Sequence, residues 1–227
     1  MRSHFLFPLI ILLLAVFAVS AQTTAPDFQK RGIEKQNAGD LDGAIADYTK
    51  ALELDPKLVD AFSSRGFALY QKSDFDGAIG DLTKAAQLAP TNAEILVSRG
   101  RVRFAKKDLD GAVADYSAAI KLSPNEIRFY TLRAVARQRL QDFAGSAADY
   151  SKAIEMDPTN AATYFSRGNI RERQKDLTGA VADYSKAIEL DAKSALYYTY
   201  RAMVYRGLNE YKLAEADDKK AAALKKK

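Results

Sequence analysis

The 227-residue chain is 48% hydrophobic and 28% charged, a balance that supports a folded core and excludes an intrinsically disordered chain. It has no cysteine and a single histidine, His4, which excludes disulfides and thiolate nucleophiles. The formal net charge of +5 is concentrated in Lys219, Lys220, Lys225, Lys226 and Lys227. Apart from these and Arg2 the charges nearly cancel, so the basic balance reports a tail rather than a basic face.

Residues 1–21 read as a signal peptide. Arg2 gives a positive start, Phe5 to Val19 is an uncharged apolar run, and Val19-Ser20-Ala21 places small residues before Gln22. The run is shorter than the ~20 residues that span a bilayer comfortably, and Pro8 lies within it. An uncleaved anchor is the alternative. No cysteine follows the run, which excludes a lipid-anchored cysteine. The expectation is an exported protein, periplasmic or extracellular, with no stable membrane span after cleavage. Loss of His4 with the leader would leave no imidazole.

From Ala25 onward the sequence repeats every 34 residues without an insertion. The copies are 25–58, 59–92, 93–126, 127–160, 161–194 and 195–227; positions below are counted from the first residue of each. GDLDGAIADYTKALELDP, SDFDGAIGDLTKAAQLAP, KDLDGAVADYSAAIKLSP, QDFAGSAADYSKAIEMDP and KDLTGAVADYSKAIELDA occupy the second half of copies one to five. NEYKLAEADDKKAAALKK follows in register and diverges.

Each copy predicts two helices. In the first, an aromatic or Leu (Phe28, Phe62, Leu96, Tyr130, Tyr164, Tyr198) is followed four residues later by a small residue (Gly32, Gly66, Gly100, Ala134, Gly168, Ala202). The second carries a stripe at helical spacing, Leu41, Ala44, Ile45, Tyr48 and Leu52 in copy one. Asp40, Asp74, Asp108, Asp142 and Asp176 are predicted N-caps. Pro56, Pro90, Pro124 and Pro158 end the second helix, because the residue before proline is driven out of the α region. Ala51 and its equivalents Ala85, Ala119, Ala153, Ala187 and Ala221 predict close helix contact.

The period, the small residue at position 8, Ala or Ser at 20, the aromatic at 24, Ala at 27 and Pro at 32 together resemble the tetratricopeptide repeat. The resemblance covers essentially all of the chain after the leader. It implies an all-α, right-handed α-solenoid of six 34-residue helix-turn-helix repeats, in residues 22–227. Departures gather at the end: Asp218 replaces the aromatic, and Ala192 and Lys226 replace the proline. Leu208 to Lys227 fits the polar capping helix that such arrays need.

Two charged positions recur in all six copies, Arg31, Arg65, Arg99, Arg133, Arg167 and Arg201 at position 7, and Asp47, Asp81, Asp115, Asp149, Asp183 and Asp217 at position 23. A feature made six times reads as part of the repeating interface, as ion pairs, rather than as a catalytic site. Specificity is expected where copies differ. The resemblance implies that positions 2, 5, 9, 12 and 13 of the first helix face a concave groove. These contribute Ile33, Phe67, Tyr70 and Phe104 toward one end, and Arg101, Arg128, Arg139, Asn169, Arg173 and Arg206 toward the other. Aromatics and arginine commonly anchor interfaces, and arginine suits carboxylates. The expected partner is a protein or extended peptide, aromatic or aliphatic and then acidic; a solvated helix face is the alternative for the arginines. The carboxylate clamp of the family's chaperone co-factors is absent: position 5 is Gln29, Ser63, Val97, Thr131, Phe165 and Thr199, with no lysine.

Catalysis finds no base, thiolate, phosphate loop or metal cluster here, and no cofactor is expected; Asp40-Leu41-Asp42-Gly43 resembles only the start of a calcium loop. No nucleic-acid partner is expected, although the lysine tail suits weak attraction to anionic surfaces. The reading is a non-catalytic interaction scaffold. Its alternative is a self-associating component of a cell-envelope complex, stacking through the first helix and Phe28.

Overall fold

An aspartate at position 16 makes the hairpin turn in copies one to five. In copy one the Asp40 amide donates to the Lys35 carbonyl at 2.9 Å and the Gly39 amide to the Gln36 carbonyl at 3.0 Å, closing the end of the first helix. The carboxylate of Asp40 then accepts from the Gly43 amide at 2.8 Å and opens the second. One residue thus satisfies orphan groups of two helices. Asp74, Asp108, Asp142 and Asp176 repeat the device with Gly77, Gly111, Gly145 and Gly179. The residue before each aspartate must take the left-handed conformation, with φ of 85° at Gly39 and 64° at Ser73.

A computed structural model describes residues 24–225. Within them lie twelve helices and no strand. The hairpins are α1 (Ala25–Asn37) with α2 (Leu41–Leu54), α3 (Val59–Gln71) with α4 (Phe75–Leu88), and α5 (Ala93–Ala105) with α6 (Leu109–Leu122). The others are α7 (Ile127–Arg139) with α8 (Phe143–Met156), α9 (Ala161–Arg173) with α10 (Leu177–Leu190), and α11 (Ala195–Gly207) with α12 (Tyr211–Lys225). Each helix packs principally on its neighbours in sequence, the one-dimensional arrangement of a solenoid. The leader reading of residues 1–21 and the last two lysines of the tail lie outside the described residues. Among those described, no helix is long and apolar enough to cross a membrane.

The small residue at position 8 serves one neighbour in particular. A Cβ at Gly32, Gly100 or Gly168 would lie 2.6–2.7 Å from the ring of Tyr48, Tyr116 or Tyr184. Those three rings are buried to 1% exposure or less, each stabilising the hairpin by about 1.5–3 kcal/mol relative to an exposed ring. Copy two has Leu82 in place of the ring, and copies four and six have Ala134 and Ala202 opposite Tyr150 and Asp218. The alanines at positions 20 and 27 are likewise buried. In copy four Ser146 replaces the alanine at position 20, and its hydroxyl donates to the Ala134 carbonyl at 2.9 Å.

The N-terminal end of the described array is polar. Positions 3 and 10 of α3, α5, α7, α9 and α11 are buried against the preceding hairpin, as Ala61 and Ala68, Ile95 and Val102, Phe129 and Ala136, Thr163 and Ile170, and Tyr197 and Val204. In α1 the same positions are Asp27 and Glu34, both exposed. Asp27 instead completes a capping box with Thr24. Phe28 faces inward, half-buried against Ala25, Ala51, Leu52 and Ala61. Phe28, the residue expected to be exposed for stacking, is thus half-buried in this cluster, and the outward face of α1 carries Asp27 and Glu34 instead.

Candidate protein-binding face

The repeated arginines and aspartates hold the repeats together. In copy four the Arg133 guanidinium donates to the Asp149 carboxylate through Nε at 3.0 Å and Nη2 at 2.7 Å. Its third nitrogen, Nη1, donates to Ser117 Oγ of the preceding copy at 2.9 Å. Arg65, Arg99, Arg167 and Arg201 make the same bridge to Thr49, Thr83, Ser151 and Ser185. Each aspartate is buried. Arg103, Arg137 and Arg171, at position 11, add a second cation in copies three to five. In copy one the Arg31 hydrogen bonds hold the Asp47 carboxyl down at about 2 against the opposing effect of burial, with Lys35 adding to the same side. Every one of these groups is spoken for. The ladder is architecture.

The recesses of the surface are lined mainly by the first helices. Three recesses follow one another along α1, α3, α5 and α7, the first of mixed lining and the other two mainly apolar. The first is lined by Ile33, Gln36, Ser64 and Phe67 among others. The second, about 290 Å³, contains Phe67, Tyr70, Leu82, Ile95, Arg101 and Val102. The third contains Tyr70, Arg101, Phe104, Leu132 and Val135. Phe67 lines the first two, while Tyr70 and Arg101 line the last two. The Phe67 and Tyr70 rings stack at 6.4 Å between centroids. A fourth, polar recess lies further along, between Gln138, Asn169, Glu172, Arg173, Lys175 and Tyr200.

The residues singled out from sequence fall into two groups. Ile33, Phe67, Tyr70, Arg101, Phe104, Asn169 and Arg173 line these recesses. Arg128, Arg139 and Arg206 line none of them. Arg128 pairs with Glu94 of the preceding copy and lies over the Phe129 ring. Arg206 pairs with Asp218 of α12, the residue that stands where other copies have an aromatic. Asn169 and Glu172 are held from beneath. The Tyr184 hydroxyl donates to Asn169 Oδ1 at 2.7 Å and to Glu172 Oε2 at 3.1 Å. Burial raises the pKa of that phenol, and the Glu172 charge raises it further.

The division into an apolar and an arginine-rich end is softer than the sequence pattern implies. Position 9 runs Ile33, Phe67, Arg101, Val135, Asn169 and Met203. Ile33, Phe67, Val135 and Met203 are 38–52% exposed, so the apolar stripe continues to the C-terminal end. Phe165 adds an aromatic cluster there, with Tyr197 at 5.1 Å and Tyr200 at 5.0 Å. The register that contains Phe67 also contains Val135 and Met203, and that shared register is the signal by which they could have been found.

Known proteins carry the same architecture. A family model for the TPR repeat matches residues 37–73 and 100–141, and one for the tetratricopeptide repeat matches 131–195. The chain belongs to the tetratricopeptide-repeat family. It is similar to a crystal structure of MamA, with 28% identity over 73% of this chain and 97% of that one, at a TM-score of 0.67. The fold is shared with YrrB, described as a TPR protein with an unusual peptide-binding site (19% identity, TM-score 0.67, 78% of this chain and 91% of that one). It is also shared with Pseudomonas aeruginosa pilF (15% identity, TM-score 0.65, 85% and 88%). No match is found among curated protein sequences. Tetratricopeptide-repeat folds generally mediate protein–protein interaction.

Proposed function

We propose that this chain is a non-catalytic scaffold that holds a peptide segment or protein surface on the face of its first helices. The observation that carries the reading is the unbroken series of recesses from Ile33 to Val135, in which each recess shares a residue with the next. Large apolar side chains exposed in one register mark interaction surfaces rather than solvated helix faces. The recurring charges are consumed by the ladder, and no group of His, Cys, Asp and Glu suited to a metal ion occurs among the described residues. We further propose that the protein acts outside the cytoplasm after removal of residues 1–21, on the strength of the leader's charge, apolar run and small residues.

The test is capture from host envelope extract by the chain beginning at Gln22. Phe67→Ser with Val135→Ser should abolish capture, while Gln87→Ser, on the surface of α4, should leave it intact. Equal capture by all three proteins would remove the first-helix face from the account. Removal of the leader is tested separately by the mass of the native protein: an N-terminus at Gln22 supports it, and retention of residues 1–21 contradicts it.

A further inference from the structure

We propose that Arg101 and the two apolar recesses beside it form a subsite for an extended peptide of the pattern apolar–x–carboxylate–x–apolar. The inference rests on the reading of the first-helix face as a binding surface and specifies what that face takes.

Arg101 is placed unlike any other cation of the described residues. It is exposed at the middle of α5, and among the described residues it makes no salt bridge, whereas Arg99 and Arg103 on either side are both committed to Asp115. With Tyr70 it forms the partition between two recesses. On one side lie Phe67, Leu82, Ile95 and Val102. On the other lie Phe104, Leu132 and Val135, where Arg101 is the only charged lining residue. Arg101 therefore borders two mainly apolar sockets, and its guanidinium has no hydrogen-bond or salt-bridge partner among the described residues. Arg173 also lacks a partner carboxylate among the described residues, but its recess is polar and already contains Glu172. Arg139 lines none of these four recesses.

Complementarity fixes the occupant. Apolar surface on both sides selects two apolar side chains, and the free fork between them selects a carboxylate. An extended backbone points residues i, i+2 and i+4 to the same side, over about 13 Å at ~3.3 Å per residue. The carboxylate must then sit midway, two residues from each apolar neighbour. The acidic residues of the larger recess sharpen the order. Glu94 is neutralised by Arg128, but Asp60 has no cation among the described residues and disfavours a second carboxylate in that socket.

The probe is the blocked peptide Ac-Gly-Leu-Ser-Glu-Ser-Leu-Gly-NH2, whose near symmetry makes the direction of binding immaterial. It is titrated into the isotope-labelled protein by NMR, beside the same peptide with Gln for Glu. The glutamate peptide should bind about tenfold tighter, the equivalent of one charge-assisted hydrogen bond. Arg101→Gln should erase that difference while leaving the far-ultraviolet circular dichroism unchanged. Equal affinity of the two peptides for the native protein overturns the proposal. So does a preference that survives Arg101→Gln, or the absence of any shift at millimolar peptide. Loss of partner capture in Phe67→Ser with Val135→Ser, beside any of those results, would sink the subsite alone and keep the binding face.

Discussion

Arg133 grips Asp149 of its own hairpin with two nitrogens and reaches Ser117 of the preceding hairpin with the third. The same side chain therefore closes a hairpin and joins it to its neighbour. Asp149 is 3% exposed and also receives Arg137 at 2.8 Å. Removing it leaves the Arg133 fork, and one nitrogen of Arg137, without their carboxylate in a largely buried position. Asp149→Ala should destabilise the protein by about 3 kcal/mol, whereas Ser117→Ala should cost about 1 kcal/mol or less. Urea denaturation of the two variants compares them directly, and equal losses would contradict the ranking.

Asp47 makes the ladder sensitive to acid. Its folded pKa of about 2 lies below the ordinary value of 3.8. A depressed carboxyl pKa contributes stability that is fully present above the unfolded value and lost as pH falls through the folded one. The stability difference between the native chain and Asp47→Asn should thus be largest near neutrality. It should shrink between about pH 4 and pH 2, with the native chain losing the advantage. A difference that stays constant across that window would contradict the role given to the Arg31 hydrogen bonds.

Glycine plays two separable parts. Gly39 has a φ of 85°, and a methyl group added there would meet nothing within 4 Å. Gly39→Ala therefore acts through the backbone alone and should cost about 1 kcal/mol. Gly168→Ala drives a methyl group to within 2.6 Å of the Tyr184 ring and should cost about 1–3 kcal/mol by overpacking. Gly168→Ala combined with Tyr184→Leu should recover part of the loss, because copy two already pairs Gly66 with Leu82. Thermal unfolding of the single and double variants measures this.

The charged outer face of α1 predicts what happens when the charge is removed. Asp27→Ile with Glu34→Val recreates the buried apolar positions of the other copies with no hairpin among the described residues to cover them. That variant should associate with rising concentration in light scattering, and the native chain should do so less. Identical scattering would mean that Asp27 and Glu34 do not guard the end. Loss of the Thr24 capping box also predicts weaker protection of the first turn of α1.

Much of the architecture was legible because a period repeated six times averages over local ambiguity. Asp40 and its equivalents announced the hairpins, Pro56 and its equivalents the helix ends, and the recurrence of Arg133 and Asp149 their structural role. The binding face was only partly legible. Phe67, Tyr70 and Arg101 come together as their register implies. The pairing of Arg206 with Asp218, and of Arg128 with Glu94, depends on contacts between helices and between copies that a single helix pattern does not contain. The cluster around Phe165 was hidden for the same reason, since Tyr184, Tyr197 and Tyr200 come from two further helices.

The most direct test of the binding face is hydrogen exchange of the chain with and without its captured partner. Binding across the recesses predicts added protection in α3, α5 and α7, centred on Phe67, Arg101 and Val135, with α4, α6 and α8 little changed. Protection confined to the second helices, or to α1 and α12 at the ends, would contradict it.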